Sequence, residues 1–328
     1  MAPPVVICSS FGELERRSIC GPPARSYHAA MEILKVQIDR KPFETPMHDV
    51  MDGAARWEVK VHDHGLVALI DVMPRIAPIG QTADAAIVQA ARVSYGAGTK
   101  QINEDRGLIR YLARHRHTTP FEMVEFKFHH VMPIFVARQW IRHRTANINE
   151  YSARYSVVRD RYYHPDPKDI RQQSTANRQG PGPPVDDLTA GEFLDYLKQL
   201  EENYAKYEQF IAKGMAREMA RIVLPVNVYT EWYWKVDLHN LFHFLSLRMD
   251  AHAQQEIRDY ATAMFQLVQP IVPIASEAFL DYQLDGMHLT RLEIEAIRTG
   301  QPLASENKRE NAEWQTKKTQ LGLDQSQS

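Results

Sequence analysis

Thiols are nearly absent from this chain. Its 328 residues include two cysteines, Cys8 and Cys20, both close to the N-terminus. A disulfide framework is therefore not expected, and a reduced, cytoplasmic setting fits. From residue 21 onward there is no thiolate to serve as a covalent nucleophile, which leaves almost no room for thiolate catalysis. Long apolar runs are missing too. None approaches the ~20 residues needed to cross a bilayer, so no membrane role is expected. The N-terminal stretch MAPPVVICSSFGELERR lacks a basic leader, and its apolar run is too short for a secretion signal. Charge of one sign is also lacking, with 39 basic against 41 acidic residues. Nucleic-acid binders usually carry a strong basic excess. The sequence has no Gly-rich phosphate loop, no GxSxG elbow and no CxxC pair. Any anion chemistry must come from local clusters.

What is present is 44% hydrophobic, enough for a full core. Residues 1–60 read as a poorly defined N-terminal extension, broken by Pro3-Pro4, Gly21-Pro22-Pro23 and Lys41-Pro42. Organised pattern starts with a strand at Leu66–Ile70, followed by helices at Asp84–Tyr95 and Glu104–His115. Thr119-Pro120-Phe121-Glu122 has the form of a capped helix start, with Thr119 as cap and Glu122 closing a capping box. Val124, Phe126 and Phe128 alternate with Glu125, Lys127 and His129, as in a half-buried strand. A helix is expected from Pro133 to Thr145, and a surface loop or lid over 165–187, around Gly180-Pro181-Gly182-Pro183-Pro184. Thr189 opens a long helix running to Val223. A strand follows over Val226–Trp234, then helices near 237–250 and 253–268. The polar, lysine-rich tail, 296–328, is expected to be disordered. No internal repeat is visible.

Arg142-His143-Arg144, followed by Ser152 and Arg154, is the densest polar cluster, and it comes directly after the apolar run Pro133–Ala137. The pattern predicts a buried helix delivering its polar end into a pocket for an anionic ligand, since arginine forks bind phosphate and carboxylate bidentately. A solvated charged face is the alternative. Arg114-His115-Arg116-His117 reads either as an exposed helix end or as an anion site beside the next helix N-terminus. His239 and His243 share a helix face, as zinc-binding pairs do, and Asp250 and His252 lie beyond them. Hydrogen-bonding histidines are the competing reading, and a metal is not expected. Arg221 sits among Met219, Ala220, Ile222 and Val223 and reads as buried. It needs an anion, either an internal carboxylate or a ligand.

These residues resemble the flavin-dependent thymidylate synthases. RHR, seven residues, then Ser is that family's signature, and Arg142 to Ser152 matches it. His117–Glu122, Ala137–Trp140, Arg221–Pro225, Leu247-Arg248 and His252–Gln254 extend the resemblance over about residues 66–285. It implies an α+β catalytic domain over 61–295, with a central antiparallel or mixed sheet flanked by long helices. It further implies a homotetramer with active sites at subunit interfaces. The implied reaction converts dUMP to dTMP, with methylenetetrahydrofolate giving the carbon, FAD the hydride, and NADPH reducing the flavin. That chemistry needs no thiolate on the uracil ring, which suits the cysteine count.

Residue roles carried over by the resemblance are as follows. Gln139, Arg142, Glu150, Tyr151, Ser152, Ala153, Arg154, Arg221 and Arg248 would hold dUMP, with Ser152 a contact rather than a nucleophile. Arg248 would be the catalytic group, favouring the ionised N3 form of the pyrimidine. Ser94, His117, Thr119, Arg142, His143, Arg144, Glu150, Asp237, Leu238, His239 and His243 would meet FAD. Asp237 and His243 stand where asparagines are common in the family. Two rival functions are a metallohydrolase on His239, His243 and His252, and an RNA-binding module using the two arginine-histidine clusters.

Overall fold

The computed structural model describes residues 57–75, 81–93, 105–173 and 181–323. Strands β1 (Trp57–Val61) and β2 (Gly65–Met73) come first, then helices α1 (Asp84–Val93) and α2 (Asp105–Arg114) and the single turn α3 (Thr119–Glu122). The strand β3 (Glu125–Pro133) runs into α4 (Ile134–Trp140) and β4 (Asn147–Glu150). A short ribbon of β5 (Arg171–Gln173) and β6 (Pro181–Pro184) precedes the long helix α5 (Asp187–Ala212) and the turn α6 (Arg217–Ala220). The chain then forms β7 (Tyr229–Asp237), α7 (Leu238–Arg248), α8 (Gln255–Val268) and α9 (Pro273–Phe279). A π-helical turn over Leu280–Leu284 leads to α10 (Arg291–Thr299) and α11 (Lys308–Gln320).

Five strands form one sheet in the order β1-β2-β3-β7-β4, with every neighbouring pair antiparallel. The α+β class is as expected, and of the two sheet types the antiparallel one is found. Strand alternation explains the register. Phe126 and Phe128 of β3 are fully buried while Lys127 between them is exposed. Across the strand pair, His130 stands opposite Trp232 and Phe128 opposite Trp234. Trp140 closes this aromatic layer, with ring centroids 5.8 Å from Trp232 and 5.5 Å from Trp234. Large aromatics bury 150–250 Å² each, so this layer contributes heavily to the core. Helix α8 covers β1 and β2 with Ile257, Tyr260, Ala261 and Met264. The Tyr260 hydroxyl donates to the Val131 carbonyl at 2.9 Å.

Two polar devices set the helices that frame the site. Asp84 is buried at the start of α1 and accepts from the N–H groups of Ile274 (2.9 Å) and Ala275 (3.0 Å) in the first turn of α9. It satisfies donors that α9 cannot satisfy internally. Arg110 of α2 reaches Glu277 at 2.6 Å and Asp281 at 2.7 Å, and its guanidinium lies 4.9 Å from the centre of the Tyr282 ring. Helix α2 and the π turn are thereby held side by side.

Several expectations are corrected. The helix expected over Thr189–Val223 ends at Ala212, because Gly214 adopts φ +87° and the chain leaves the helix there. Asp186, not Thr189, caps that helix, accepting from the Thr189 N–H at 2.9 Å. Thr119 lies inside α3, and the cap position is Thr118, which makes no side-chain capping bond. The tail is not uniformly disordered. Thr290 and Glu293 form a capping box on α10, Gly300 ends it with φ +65°, and α11 packs Trp314 onto Ala296 and Leu303. One tryptophan on an otherwise polar helix supplies the apolar contact that no periodic stripe announced. The segment 165–187 contains the β5–β6 ribbon, with residues 174–180 outside the description. The 1–60 extension lies outside the described residues except from Trp57 onward.

Candidate active site

The RHR cluster does not lie on a helix. Helix α4 stops at Trp140, whose buried indole fixes its end. Ile141 and Arg142 then form a turn, and His143 and Arg144 belong to the link into β4. The His143 N–H donates to the Trp140 carbonyl at 3.0 Å, so the turn closes tightly on the helix end. This geometry points His143 inward, onto α7. Its Nε2 accepts from the Arg248 Nε–H at 3.1 Å, and its ring meets Phe244 edge-on at 4.9 Å. Burial, then the Arg248 charge, then His243 push the His143 pKa down to about 4. The imidazole is therefore neutral at physiological pH, with a lone pair free to accept. Burial also draws the Arg248 pKa below its ordinary value, yet arginine remains cationic there.

Arg142 and Arg144 are exposed, and among the described residues neither guanidinium has a hydrogen-bond or ion-pair partner. Arg221 is exposed as well, at the start of a 3-10 turn, which corrects the expectation that it is buried. Its apolar neighbours Met219 and Ile222 are 56% and 70% exposed, so an apolar sequence context did not mean an interior position. It also lacks a partner among the described residues. Exposed cations without a partner are suited to anionic ligands.

The segment after β4 is ordered by its own hydrogen bonds. Glu150 accepts from the Thr230 hydroxyl at 2.7 Å, and the Tyr151 N–H donates to the Glu231 carbonyl at 2.8 Å. The Ser152 carbonyl accepts from Tyr155 and Ser156, and its Oγ accepts from the Arg154 N–H at 3.3 Å. Among the described residues no base is bonded to Ser152 Oγ, and Ala153 packs beside the cluster around Tyr207. Arg154 pairs with Glu218 at 3.0 Å at an exposed position. Gln139, half-buried on α4, bonds to the Gln254 amide.

A cavity of about 690 Å³ opens between α2, α7 and the turn after α9. His117, His239 and His243 line it together with Arg114, Arg116 and Thr118. Arg116 has φ +58°, which turns the chain sharply after α2. His243 joins this cavity to the RHR region, with its ring 6.0 Å from that of His143. Thr118 rather than Thr119 lines the cavity, Thr119 being exposed outside it. Asp237 is occupied as the cap of α7, accepting from the Asn240 N–H (2.9 Å) and side-chain amide (2.7 Å). Leu238 is fully buried in the core, donating its N–H to Val124. Neither of these two lines the cavity. Ser94 lies outside the described residues. Arg114, Arg116 and Thr118 belong to the second cluster, which the sequence reads either as an exposed helix end or as an anion site, and the structure puts them on the cavity wall. Tyr282 and His288, also on the wall, carry no motif that could have announced them.

The lining suits a flavin dinucleotide. Arg114 and Arg116 offer charge for a diphosphate, the imidazoles offer donors and acceptors, and Phe121 and Phe242 offer apolar wall for a ring system. For the metal alternative, among the described residues no three His, Cys, Asp or Glu side chains are grouped to hold an ion. No helix among them is long and apolar enough to cross a membrane.

The fold is that of a nucleotide methylase class. A solved structure of the UMP/dUMP methylase PolB from Streptomyces cacaoi, bound with 5-Br dUMP, matches with TM-score 0.60 and 33% identity. It covers 69% of this chain and 99% of that one. Residues 70–274 match the family model described as thymidylate synthase complementing protein. The flavin-dependent thymidylate synthase of Dictyostelium discoideum is 65% identical over 290 residues, 88% of this chain and 96% of that protein. That of Wolbachia pipientis wMel is 54% identical over 250 residues, 76% and 85% respectively. The chain belongs to the flavin-dependent thymidylate synthase family.

Proposed function

We propose that this chain methylates dUMP to dTMP, taking the carbon from methylenetetrahydrofolate, with FAD as cofactor and NADPH as reductant, in the cytoplasm. The observation that carries this reading is the His143–Arg248 pair beside a cation-lined cavity. When bound, FAD supplies the hydride that completes the methyl group.

The chain's own residues bind, orient and polarise. The His143 lone pair takes the Arg248 Nε–H, leaving the terminal guanidinium nitrogens to meet the pyrimidine. A fixed cation there favours the ionised N3 form and stabilises negative charge as the ring attacks the folate carbon. Because His143 is neutral, it orients Arg248 without adding repulsion. Arg142, Arg154 and Arg221 bind the nucleotide phosphate, and Gln139 with the Glu150–Ala153 segment holds the base and sugar. Arg154 exchanges Glu218 for phosphate as the nucleotide enters. Arg144 and the imidazoles of His117, His239 and His243 face the flavin nucleotide, together with His143 and Glu150.

A homotetramer with shared sites fits the exposed apolar strip of Met219, Ile222 and Val226 around Arg221. A monomer would leave this strip in water. A second copy covering it would bring its own groups to the phosphate end.

The visible spectrum of the purified protein tests the reading. Flavin absorbance is expected, bleached by NADPH and restored under anaerobic conditions only when dUMP and the folate donor are both added. Colourless protein carrying stoichiometric zinc would overturn it. Arg221→Ala is expected to raise the dUMP dissociation constant by roughly 10- to 100-fold, the worth of one charge-assisted phosphate contact, as measured by calorimetry.

A further inference from the structure

One wall of the 690 Å³ cavity is built from chain beyond the family-matched span of 70–274. Gly286, Met287 and His288 lie on that wall. They have no regular secondary structure, and all three are exposed. A bare strap of this kind keeps a fixed wall only if its ends are held.

Both ends are held. At the N-terminal end, Gly286 packs against the π turn so closely that a Cβ would stand 3.0 Å from the Tyr282 carbonyl. At the other end, Lys317 of α11 donates to the His288 carbonyl at 2.9 Å. The same ammonium bonds both oxygens of Glu293, at 2.8 and 3.0 Å. Glu293 is 5% exposed on its side chain, and it accepts from the Thr290 N–H at 2.6 Å to close the capping box. A buried carboxylate needs such a partner, so Lys317 cannot leave cheaply. The route runs from α11 through one ammonium to the backbone of a cavity residue. Among the described residues the His288 imidazole has no partner of its own.

We propose that Lys317 and Glu293 form a latch that positions the Gly286–His288 strap as a wall of the flavin site, and that the His288 imidazole contacts the bound cofactor. The C-terminal helix pair, α10 and α11, is thereby part of the cofactor site. This inference rests on the reading of the cavity as the flavin site. His288 is a binding residue and Lys317 a positioning residue.

Calorimetric titration of FAD into flavin-free full-length protein tests it. The variants are His288→Ala, Lys317→Met, Lys317→Arg and the double variant His288→Ala/Lys317→Met. His288→Ala and Lys317→Met are each expected to raise the FAD dissociation constant about 5- to 10-fold, as the loss of one hydrogen-bonded contact does. The double variant should be no weaker than about the worse single, because both changes act through one contact. Lys317→Arg keeps a donor for the carbonyl and should restore most of the affinity. His288→Ala alters an exposed side chain, so it remains informative if Lys317→Met fails to fold. Wild-type binding with His288→Ala unchanged would overturn the inference and leave the proposed function standing. No FAD binding by wild-type protein would overturn both.

Discussion

Arg248→Ala is expected to lower the turnover of dUMP by about 10²- to 10³-fold, the usual cost of removing one fixed donor aimed at developing charge. Arg248 is placed for this role by what holds it. It is the last residue of α7, half-buried, with its Nε–H committed to His143. That bond fixes the guanidinium plane and leaves its outer nitrogens free. Lysine at this position would keep the charge but lose the fork and the Nε–H bond, so Arg248→Lys should recover only a small part of the rate. A second readout is independent of turnover. Burial is the largest cause of the low His143 pKa, and the Arg248 charge is the next. In Arg248→Ala the His143 pKa should therefore rise from about 4 but stay below the ordinary value of ~6.5, because burial and His243 remain. Nuclear magnetic resonance titration of the His143 ring reads this directly. Intact flavin oxidation dependent on dUMP and the folate donor in Arg248→Ala would remove the activation role.

Gly65→Ala is expected to be the most destabilising small substitution, costing about 3 kcal/mol or more. Gly65 begins β2 immediately after the turn that contains His62, which has φ 57°. A Cβ there would stand 2.0 Å from the Tyr260 hydroxyl and 2.5 Å from the Val61 carbonyl. The tyrosine cannot swing away freely, because its hydroxyl is bonded to Val131 in the central strand. The carbonyl belongs to the β1–β2 pairing itself. Thermal unfolding should show a fall of roughly 5–10 °C in Tm. Gly191→Ala is the control. It lies inside α5 with open space around its Cβ position, and should stabilise by about 0.5–1 kcal/mol through helix propensity. A Gly65→Ala protein as stable as wild type would show that the β1–α8 packing described above is wrong.

Strands β3 and β7 were legible because they alternate strictly, whereas β4 carries no such pattern and β2 opens on a continuous apolar run. Phe126 and Phe128, then Trp232 and Trp234, mark one buried face without ambiguity. The RHR cluster read as an anion site from its residue types and Arg248 entered only through the family resemblance, while the structure brings His143, Arg248 and His243 together. Helix ends were less legible. Gly214 carries the true stop signal of α5, but a continuous apolar stripe hid it. Arg221 looked interior because Met219, Ile222 and Val223 flank it, yet those residues are themselves exposed. Proximity in sequence to apolar residues says nothing about which side of the chain meets the core. Helix α11 was not visible because a single buried tryptophan makes no period. The strap at Gly286–His288 was invisible for a stronger reason. Its position depends on Lys317, a contact across 29 residues, and no local pattern encodes such a bond.

The most direct test of the central claim is mass spectrometry of the nucleotide product. Protein stripped of its flavin is incubated with dUMP, methylenetetrahydrofolate and NADPH, with and without added FAD. The account predicts conversion to dTMP, heavier than dUMP by one methylene, only in the reaction supplied with FAD. Unchanged dUMP in the complete mixture, or equal dTMP from flavin-free protein, would contradict it.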